Sequence, residues 1–184
     1  MRIRRDFIGA SPGWRIMKVL TYPNPKLLKK ALKVAVIDRS VNKLVRQMFD
    51  LMYKEGGVGL AAPQAGYSLR LAVINLTKKP PDELVLINPL IAEQSGSVIQ
   101  EEGCLSVPGI TAPVGRSARL VCRALDLNGN EINLTAEDLL ARAIQHEIDH
   151  LDGVLFINRL EPEERQKIKK KLQELEHANN QRLK

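Results

Sequence analysis

Cysteine, aromatic residues and long apolar runs are all scarce in this sequence, and each shortage excludes a class of protein. Two cysteines, Cys104 and Cys122, cannot build the multi-disulfide framework of a small secreted domain, so a reducing compartment is expected. No run approaches the roughly 18 apolar residues that a membrane-spanning helix needs, and we expect no membrane partner. Three Tyr, three Phe and one Trp offer little base stacking, so specific recognition of a nucleic-acid sequence is not expected.

The length and the N-terminus bear on organisation and location. A chain of 184 residues suffices for one buried core, and we expect residues 1–184 to form a single domain. Residues 1–16 are basic but lead into no apolar segment, which argues against a secretory signal and leaves an N-terminal extension without an assigned function. The expected location is a reducing cytoplasm, with an organelle as the alternative.

The positive charge is concentrated near the two ends of the chain. The formal net charge is +7, with Arg2, Arg4 and Arg5 at one end and the run from Lys167 to Lys171 near the other. Such charge attracts polyanions but carries no information about the fold. One hypothesis is therefore a non-enzymatic RNA- or ribosome-binding module, although the shortage of aromatic residues argues against it. The alternative is a solvated helix in which glutamates offset the lysines.

The order of the predicted elements favours an α+β fold. Apolar spacing predicts a helix over residues 38–54, strands over 69–76, 84–91, 120–127 and 131–134, and a helix that begins at Thr135 and ends at Gly153. We expect a loop or a short edge strand over residues 101–109, because Gly and Pro bound this segment. Residues 161–184 are typical of a mostly polar C-terminal helix. Strands followed by helices are typical of α+β rather than parallel α/β proteins.

The strongest chemical signal is His146-Glu147-Ile148-Asp149-His150. Residues four apart lie on one face of a helix, so both imidazoles can reach a single metal ion. Glu147 lies beside that ion without binding it, where a carboxylate can take the proton of an activated water. The alternative is a chance match on an ordinary amphipathic helix. That alternative would bury two histidines and a glutamate without a shared partner, which is costly.

A catalytic metal usually has three protein ligands, so a third one is required. Four downstream glutamates are candidates, but they lie in a charge-rich segment typical of solvated surface: Glu161, Glu163, Glu164 and Glu174. Cys104 is favoured, because it lies in a segment bounded by Gly and Pro where a neutral thiol has no packing role, and a thiolate is a strong ligand for zinc or iron. Cys122 lies within a predicted strand and is interpreted as a core residue.

Three segments resemble the signature motifs of the peptide deformylase family, in the family's order and spacing. They are Gly57-Val58-Gly59-Leu60-Ala61-Ala62-Pro63-Gln64, Glu102-Gly103-Cys104-Leu105-Ser106 and Gln145-His146-Glu147-Ile148-Asp149-His150-Leu151-Asp152-Gly153, within a resemblance over roughly residues 19–160. The resemblance implies antiparallel β-sheets packed around a central helix that carries the HExxH motif, with a C-terminal helix. It also implies the reaction: removal of the N-formyl group from the N-terminal formylmethionine of newly synthesised polypeptides, with release of formate.

The resemblance assigns a role to each matching position. The implied metal ligands are Cys104, His146 and His150, and the implied native ion is Fe(II), with zinc, nickel or cobalt as alternatives. The implied catalytic groups are the Glu147 carboxylate as proton carrier and two oxyanion donors, the Gln64 side chain and the Leu105 backbone N–H.

The resemblance also implies how the substrate binds. The backbone around Val58, Gly59 and Gly103 would bind a formylmethionyl nascent peptide as an added strand. The methionine side chain would enter a pocket formed by Val58, Leu139 and Ala143, for which a plain core role is the alternative. In some bacterial members the C-terminal helix docks on the ribosome, and the basic helix of this chain motivates the same hypothesis.

Two points stay open at the level of sequence. The loop 109–115 lacks an arginine that some family members carry, and Arg116 is expected to serve partly in its place in peptide recognition. An HExxH metallopeptidase is the alternative function, and it would cleave internal peptide bonds instead of releasing formate.

Overall fold

The computed structural model describes residues 17–182, so the predicted N-terminal extension 1–16 lies outside the described residues. The strands, in chain order, are β1 (Gly59–Ala61), β2 (Leu71–Ile74), β3 (Leu84–Ser95), β4 (Val98–Cys104), β5 (Val107–Arg116), β6 (Arg119–Leu125) and β7 (Glu131–Glu137). The α-helices are α1 (Arg39–Lys54), α2 (Asp138–Leu151) and α3 (Pro162–Arg182). Strands followed by helices confirm the predicted α+β fold.

Helix α1 agrees with the sequence prediction at both ends. The side chain of Asp38 caps its first turn by accepting hydrogen bonds from the backbone N–H groups of Ser40 and Val41. The helix ends before Gly56, which has a φ of 74° and cannot continue it. Its apolar face packs against the core: Val41, Leu44, Val45, Met48, Phe49, Leu51 and Met52 are buried.

Five strands form an antiparallel sheet in the order β1-β2-β3-β6-β7. Strand β1 is an edge strand of this sheet, because within residues 17–182 it pairs with β2 alone. Strands β6 and β7 are joined by a tight turn in which Gly129 has a φ of 83°. The edge position of β1 leaves one row of its backbone groups without a strand partner.

The second sheet is a hairpin of β4 and β5. Its pairing runs from Val98–Arg116 to Cys104–Val107, with a register shift next to Gly103. The edge-strand alternative predicted for residues 101–109 is confirmed for residues 101–104, which lie in β4, whereas the loop alternative holds only for the turn of Leu105 and Ser106. Gly103 lies at the register shift, and Pro108 and Gly109 lie within β5, so these residues do not bound a loop.

Helix α2 lies between the two sheets. It packs against β1 and β2 on one side, and on the other Arg142 contacts the carbonyl groups of Gln100 in β4 and Val114 in β5. The prediction that the helix begins at Thr135 is wrong, because Thr135 pairs with Val121 and extends β7. The predicted helix end is confirmed: Gly153 follows α2 with a φ of 76°, and a Cβ there would lie 2.8 Å from the carbonyl of Leu28.

Helix α3 is mostly polar, and a thin apolar stripe attaches it to the hairpin. Ile168, Leu172 and Leu175 join a core cluster that contains Val107 and Ile110 of β5. In the part of the chain that the structure describes, no helix is long and apolar enough to cross a membrane.

Candidate active site

Three predicted ligands converge between the hairpin and α2. Cys104 ends β4, and His146 and His150 lie one turn apart on α2. One ligand atom from each of these residues lies within 4.8 Å of the others. The spacing of the two histidines is a local property of the helix, whereas Cys104 is brought to them by the pairing of the hairpin against α2.

The orientation of the donors fits a metal ion. Nε2 of His150 lies 3.1 Å from Sγ of Cys104. Nδ1 of His146 lies 3.1 Å from Oε2 of Glu102, which leaves Nε2 of His146 free to bind a metal ion. Nδ1 of His150 is buried without a hydrogen-bond partner among residues 17–182. Two imidazoles and a thiol are the donor types that bind Zn²⁺ or Fe²⁺, so the residues present fit such an ion.

The environment favours the thiolate form of Cys104. Burial opposes ionisation, but the charge of His150 and hydrogen bonds from His146 and His150 outweigh it and hold the pKa of the thiol well below its ordinary value. The backbone N–H of Ser106 also donates to Sγ over 3.3 Å. A thiolate is the form of cysteine that binds metal, so this environment suits a ligand.

Glu147 lies beside the three candidate metal ligands and is buried from solvent. Its side chain is buried, and its Oε2 has no hydrogen-bond partner in the described structure. Burial raises the pKa of this carboxyl to about 7, although the nearby imidazoles oppose the shift. A carboxyl whose pKa lies near neutrality can both accept and return a proton.

Close approach of β1 holds Glu147 in place. A Cβ at Gly59 would lie 2.3 Å from Oε1 of Glu147, so a larger residue fits here only if this carboxylate or the strand shifts. Gly57 has a similar role, since its Cβ would lie 2.8 Å from Cδ1 of Leu105. The glycines of the first motif therefore allow β1, α2 and the turn after β4 to meet.

Gln64 is buried, and both ends of its side-chain amide are held. Its Oε1 accepts the backbone N–H of Ala61 over 2.8 Å. Its Nε2 donates to Oγ of Ser106 over 3.1 Å and lies 3.5 Å from Sγ of Cys104. The amide therefore presents N–H groups, not oxygen, toward the candidate metal site.

The remaining predicted positions surround this site. Leu105 follows Cys104 in the turn between β4 and β5 and is half-buried. Gly59 lies on the edge strand β1 and Gly103 on β4, which pairs with β5 alone. The side chain of Val58 is 36% exposed. Both strands thus offer backbone groups on an unpaired side, as an added peptide strand requires.

The sequence analysis made two predictions about peptide recognition, one for Arg116 and one for a methionine pocket. The expectation for Arg116 is wrong: this residue is 6% exposed, and its guanidinium binds Glu102 and Asp149 instead of facing a peptide groove. Leu139 is exposed on the first turn of α2 and Ala143 is buried one turn later. Their role in a methionine pocket stays a prediction.

A buried charge network around Glu102 was missed by the sequence analysis. Glu102 accepts a bidentate pair of hydrogen bonds from Arg116, each 2.9 Å long, and a third from Arg142 at 2.7 Å. Burial opposes its ionisation, but the bonds from Arg116 and His146 lower the pKa of Glu102 to about 2. A signal existed, because Arg142 lies one turn before His146 on the same helix face.

Asp149 extends the network to the surface. It binds Arg116 from the opposite end and Arg159 over 2.6 Å. The chain of contacts therefore runs from the half-exposed Arg159 to the Nδ1 atom of His146. Such a network fixes the orientation of the His146 imidazole, a candidate metal ligand.

Comparisons of the sequence and of the structure with known proteins all identify the same family. The family model described as polypeptide deformylase matches residues 16–166. The chain is 44% identical over 158 residues to a peptide deformylase of Thermodesulfovibrio yellowstonii, covering 85% of this chain and 96% of that one. It is similar to the crystal structure of a peptide deformylase from Legionella pneumophila, with a TM-score of 0.83, 42% identity and coverage of 90% and 98% of the two chains. A peptide deformylase structure from Plasmodium falciparum matches with a TM-score of 0.86, 37% identity and coverage of 89% and 97%.

Proposed function

This chain belongs to the polypeptide deformylase family, and from that premise we propose that Cys104, His146 and His150 hold one divalent metal ion and that Glu147 moves the protons of the reaction. The chain is an enzyme that removes the formyl group from N-formylated polypeptides. The observation that supports the site assignment is the convergence of the three donors beside a buried glutamate with an unpaired oxygen. An HExxH metallopeptidase is not favoured, because the family and all three relatives described above are deformylases.

The metal site is proposed for Fe(II) as the native ion, with zinc, nickel and cobalt as ions that the same donors accept. When bound, such an ion polarises the formyl oxygen and makes a water acidic enough to attack near neutral pH. Glu102 would support the site by holding Nδ1 of His146, so that the other ring nitrogen would be available to the ion. The proposal for the ion rests on the donor types and on the resemblance.

Proton transfer is assigned to Glu147. Its carboxylate takes a proton from the attacking water, whose oxygen forms a bond to the formyl carbon. The bond from that carbon to the peptide nitrogen then breaks, and Glu147 returns the proton to the departing amine. Formate and a free amino terminus are the products. The buried position of Glu147 supports this role, because its pKa of about 7 suits both transfers.

Gln64 and Leu105 are proposed to stabilise the negative charge on the formyl oxygen. The amide of Gln64 is fixed by Ala61 so that its N–H groups face Cys104 and Ser106. A carboxylate at this position would repel the developing oxyanion, whereas an amide donates to it. The backbone N–H of Leu105 is the second proposed donor.

The substrate is proposed to bind as a strand beside β1 and β4. Val58, Gly59 and Gly103 would supply backbone hydrogen bonds, and the unpaired sides of both strands support this. The methionine side chain would lie near Val58, Leu139 and Ala143. The proposed partners are formylmethionyl nascent peptides in the cytoplasm of a bacterium or in an organelle.

Ribosome association through α3 is a separate proposal. Lys167, Lys169, Lys170 and Lys171 place positive charge on an exposed stretch of this helix. Binding to ribosomal RNA should weaken as salt rises. Co-sedimentation with ribosomes between 50 and 200 mM salt tests the proposal, and absent or salt-insensitive binding would contradict it.

The reaction is tested by formate release from a formyl-Met-Ala-Ser peptide. Protein loaded anaerobically with Fe(II) or nickel is compared with a Glu147→Ala variant that has the same metal content. We expect formate from the wild type and almost none from the variant, with the Ala–Ser bond intact. Internal cleavage without formate would favour a metallopeptidase, and formate from the variant would contradict the role of Glu147.

A further inference from the structure

One segment near the start of the described chain contacts two loops of the candidate active site, the loop that contains Gln64 and the turn that follows Cys104. The backbone N–H of Leu20 donates to the carbonyl of Gln64 over 2.7 Å. Two residues later, the N–H of Tyr22 donates to the carbonyl of Ser106 over 2.8 Å. The two loops also contact each other, through the hydrogen bond from Gln64 to the hydroxyl of Ser106. Residues 20–22 therefore connect the oxyanion-donor loop with the turn that follows Cys104.

Helix α3 holds this segment from the outside. The phenol of Tyr22 donates to Glu176, and the side chain of Asn179 donates to the backbone carbonyl of Tyr22 over 2.6 Å. Asn179 is buried, and the ring of Tyr22 packs on the same apolar cluster as Leu172 and Leu175. Tyr22 is thus bound to α3 by its side chain and its carbonyl, and to the active-site turn by its N–H.

We propose that Tyr22 is a positioning residue for deformylation, through which α3 sets the position of the Cys104–Leu105–Ser106 turn. The inference rests on the proposed function, because it concerns the donors assigned above. Leu105 and Cys104 lie within two residues of the Ser106 carbonyl that Tyr22 holds, and Ser106 also donates to Sγ of Cys104. A shift of the turn therefore moves an oxyanion donor and a metal ligand together.

This arrangement predicts an effect on turnover rather than on peptide affinity. The proposed peptide-binding groups lie mainly on β1 and on Gly103, whereas the hydrogen bonds of Tyr22 within residues 17–182 go to Ser106, Glu176 and Asn179. Oxyanion donors act on charge that develops only in the transition state, so their displacement lowers kcat more than it raises KM. A displacement of about 1 Å can cost about 100-fold, and a shift of a few tenths of an ångström should cost about 3- to 10-fold.

The chain offers a matched control for the test. Tyr53 also donates its phenol to a glutamate, Glu83, over 2.8 Å, but it does so at the end of α1. Tyr22→Phe and Tyr53→Phe each remove a hydrogen bond from a phenol to a glutamate, and Tyr53→Phe also removes the bond that this phenol accepts from Asn75 over 2.8 Å. A second pair avoids changing a ring: Glu176→Gln weakens the acceptor of Tyr22, whereas Glu164→Gln changes a glutamate of the same helix that binds Lys167.

The experiment measures kcat and KM for formate release and the thermal midpoint for all four variants. Absorption spectra of the cobalt-loaded proteins report the surroundings of the Cys104 thiolate independently of activity. We expect Tyr22→Phe and Glu176→Gln to lower kcat about 3- to 10-fold and 2- to 5-fold, respectively, at nearly constant KM, with a shifted thiolate band. Tyr53→Phe and Glu164→Gln should keep the kcat and the spectrum of the wild type.

The inference is overturned if Tyr22→Phe and Tyr53→Phe have the same kcat and the same cobalt spectrum, even if both lower the thermal midpoint. If Tyr22→Phe fails to fold, Glu176→Gln decides the question by the same criteria. Failure of the proposed function would be seen separately, as an absence of formate from the metal-loaded wild type.

Discussion

Replacing Gly59 with alanine should displace the carboxylate of Glu147. Strand β1 passes so close to α2 that an added Cβ would lie 2.3 Å from Oε1 and 3.0 Å from the carboxyl carbon of Glu147. Ordinary contacts of this kind begin at 3.4 Å, so the carboxylate or the strand must move by about 1 Å. A misplacement of about 1 Å at a reacting group costs about 100-fold in rate. We therefore expect kcat to fall about 100-fold in Gly59→Ala.

Gly115→Ala is the matched control, because the nearest atom to its added Cβ would be Cγ1 of Ile99 at 4.0 Å. Both variants are assayed for formate release and for thermal unfolding. Overpacking at Gly59 should also cost about 1–3 kcal/mol of stability, which must be small enough for the variant to stay folded at the assay temperature. A kcat within twofold of the wild type, or a raised KM at unchanged kcat, would refute the displacement of Glu147.

Three further predictions concern buried and titrating groups. Glu102→Gln should lower the free energy of unfolding by about 3–5 kcal/mol, because the buried Arg142 loses its carboxylate and the buried Arg116 keeps only Asp149. A loss under about 1 kcal/mol in urea denaturation would contradict this. The hydrogen bond to Glu176 raises the pKa of Tyr22 from 10.0 to about 12, so the stability from this bond is present below pH 10 and lost as the pH rises through about 12. The difference in thermal midpoint between wild type and Tyr22→Phe should therefore shrink from pH 8 to pH 11.5, and a constant difference would count against the bond. Burial raises the pKa of Cys122 to about 11, so iodoacetamide should label only Cys104 in the native metal-free protein, as peptide mapping by mass spectrometry would show.

The element predictions succeeded where the signal is local. Helix α1 was predicted at both ends, because Asp38 supplies an N-cap and Gly56 tolerates a positive φ. The start of α2 was predicted three residues too early. Thr135 satisfies a local capping pattern, but its backbone pairs with Val121 across the sheet, and that pairing lies outside any local window.

The residues of the candidate site also differ in how far local sequence predicts their position. His146, Glu147 and His150 follow from the periodicity of one helix, so the sequence alone determined their relative placement. Cys104 was inferred from its unusual surroundings in the sequence and from a family resemblance. Its distance to the imidazoles depends on how the hairpin of β4 and β5 packs against α2.

The surroundings of these residues were decided by tertiary structure. Nothing in the sequence near Glu102 or Arg116 distinguishes a buried ion pair from surface charges, and Arg116 was expected to face the peptide. Burial of a charge depends on long-range packing, which also determines whether an opposite charge is present to compensate it. The sequence by itself determined the chemical groups and their local spacing along α2. The tertiary structure decided which of these groups are buried and which form ion pairs. It also decided how α3 contacts the active-site turn through Tyr22, because such properties arise only when distant segments pack together.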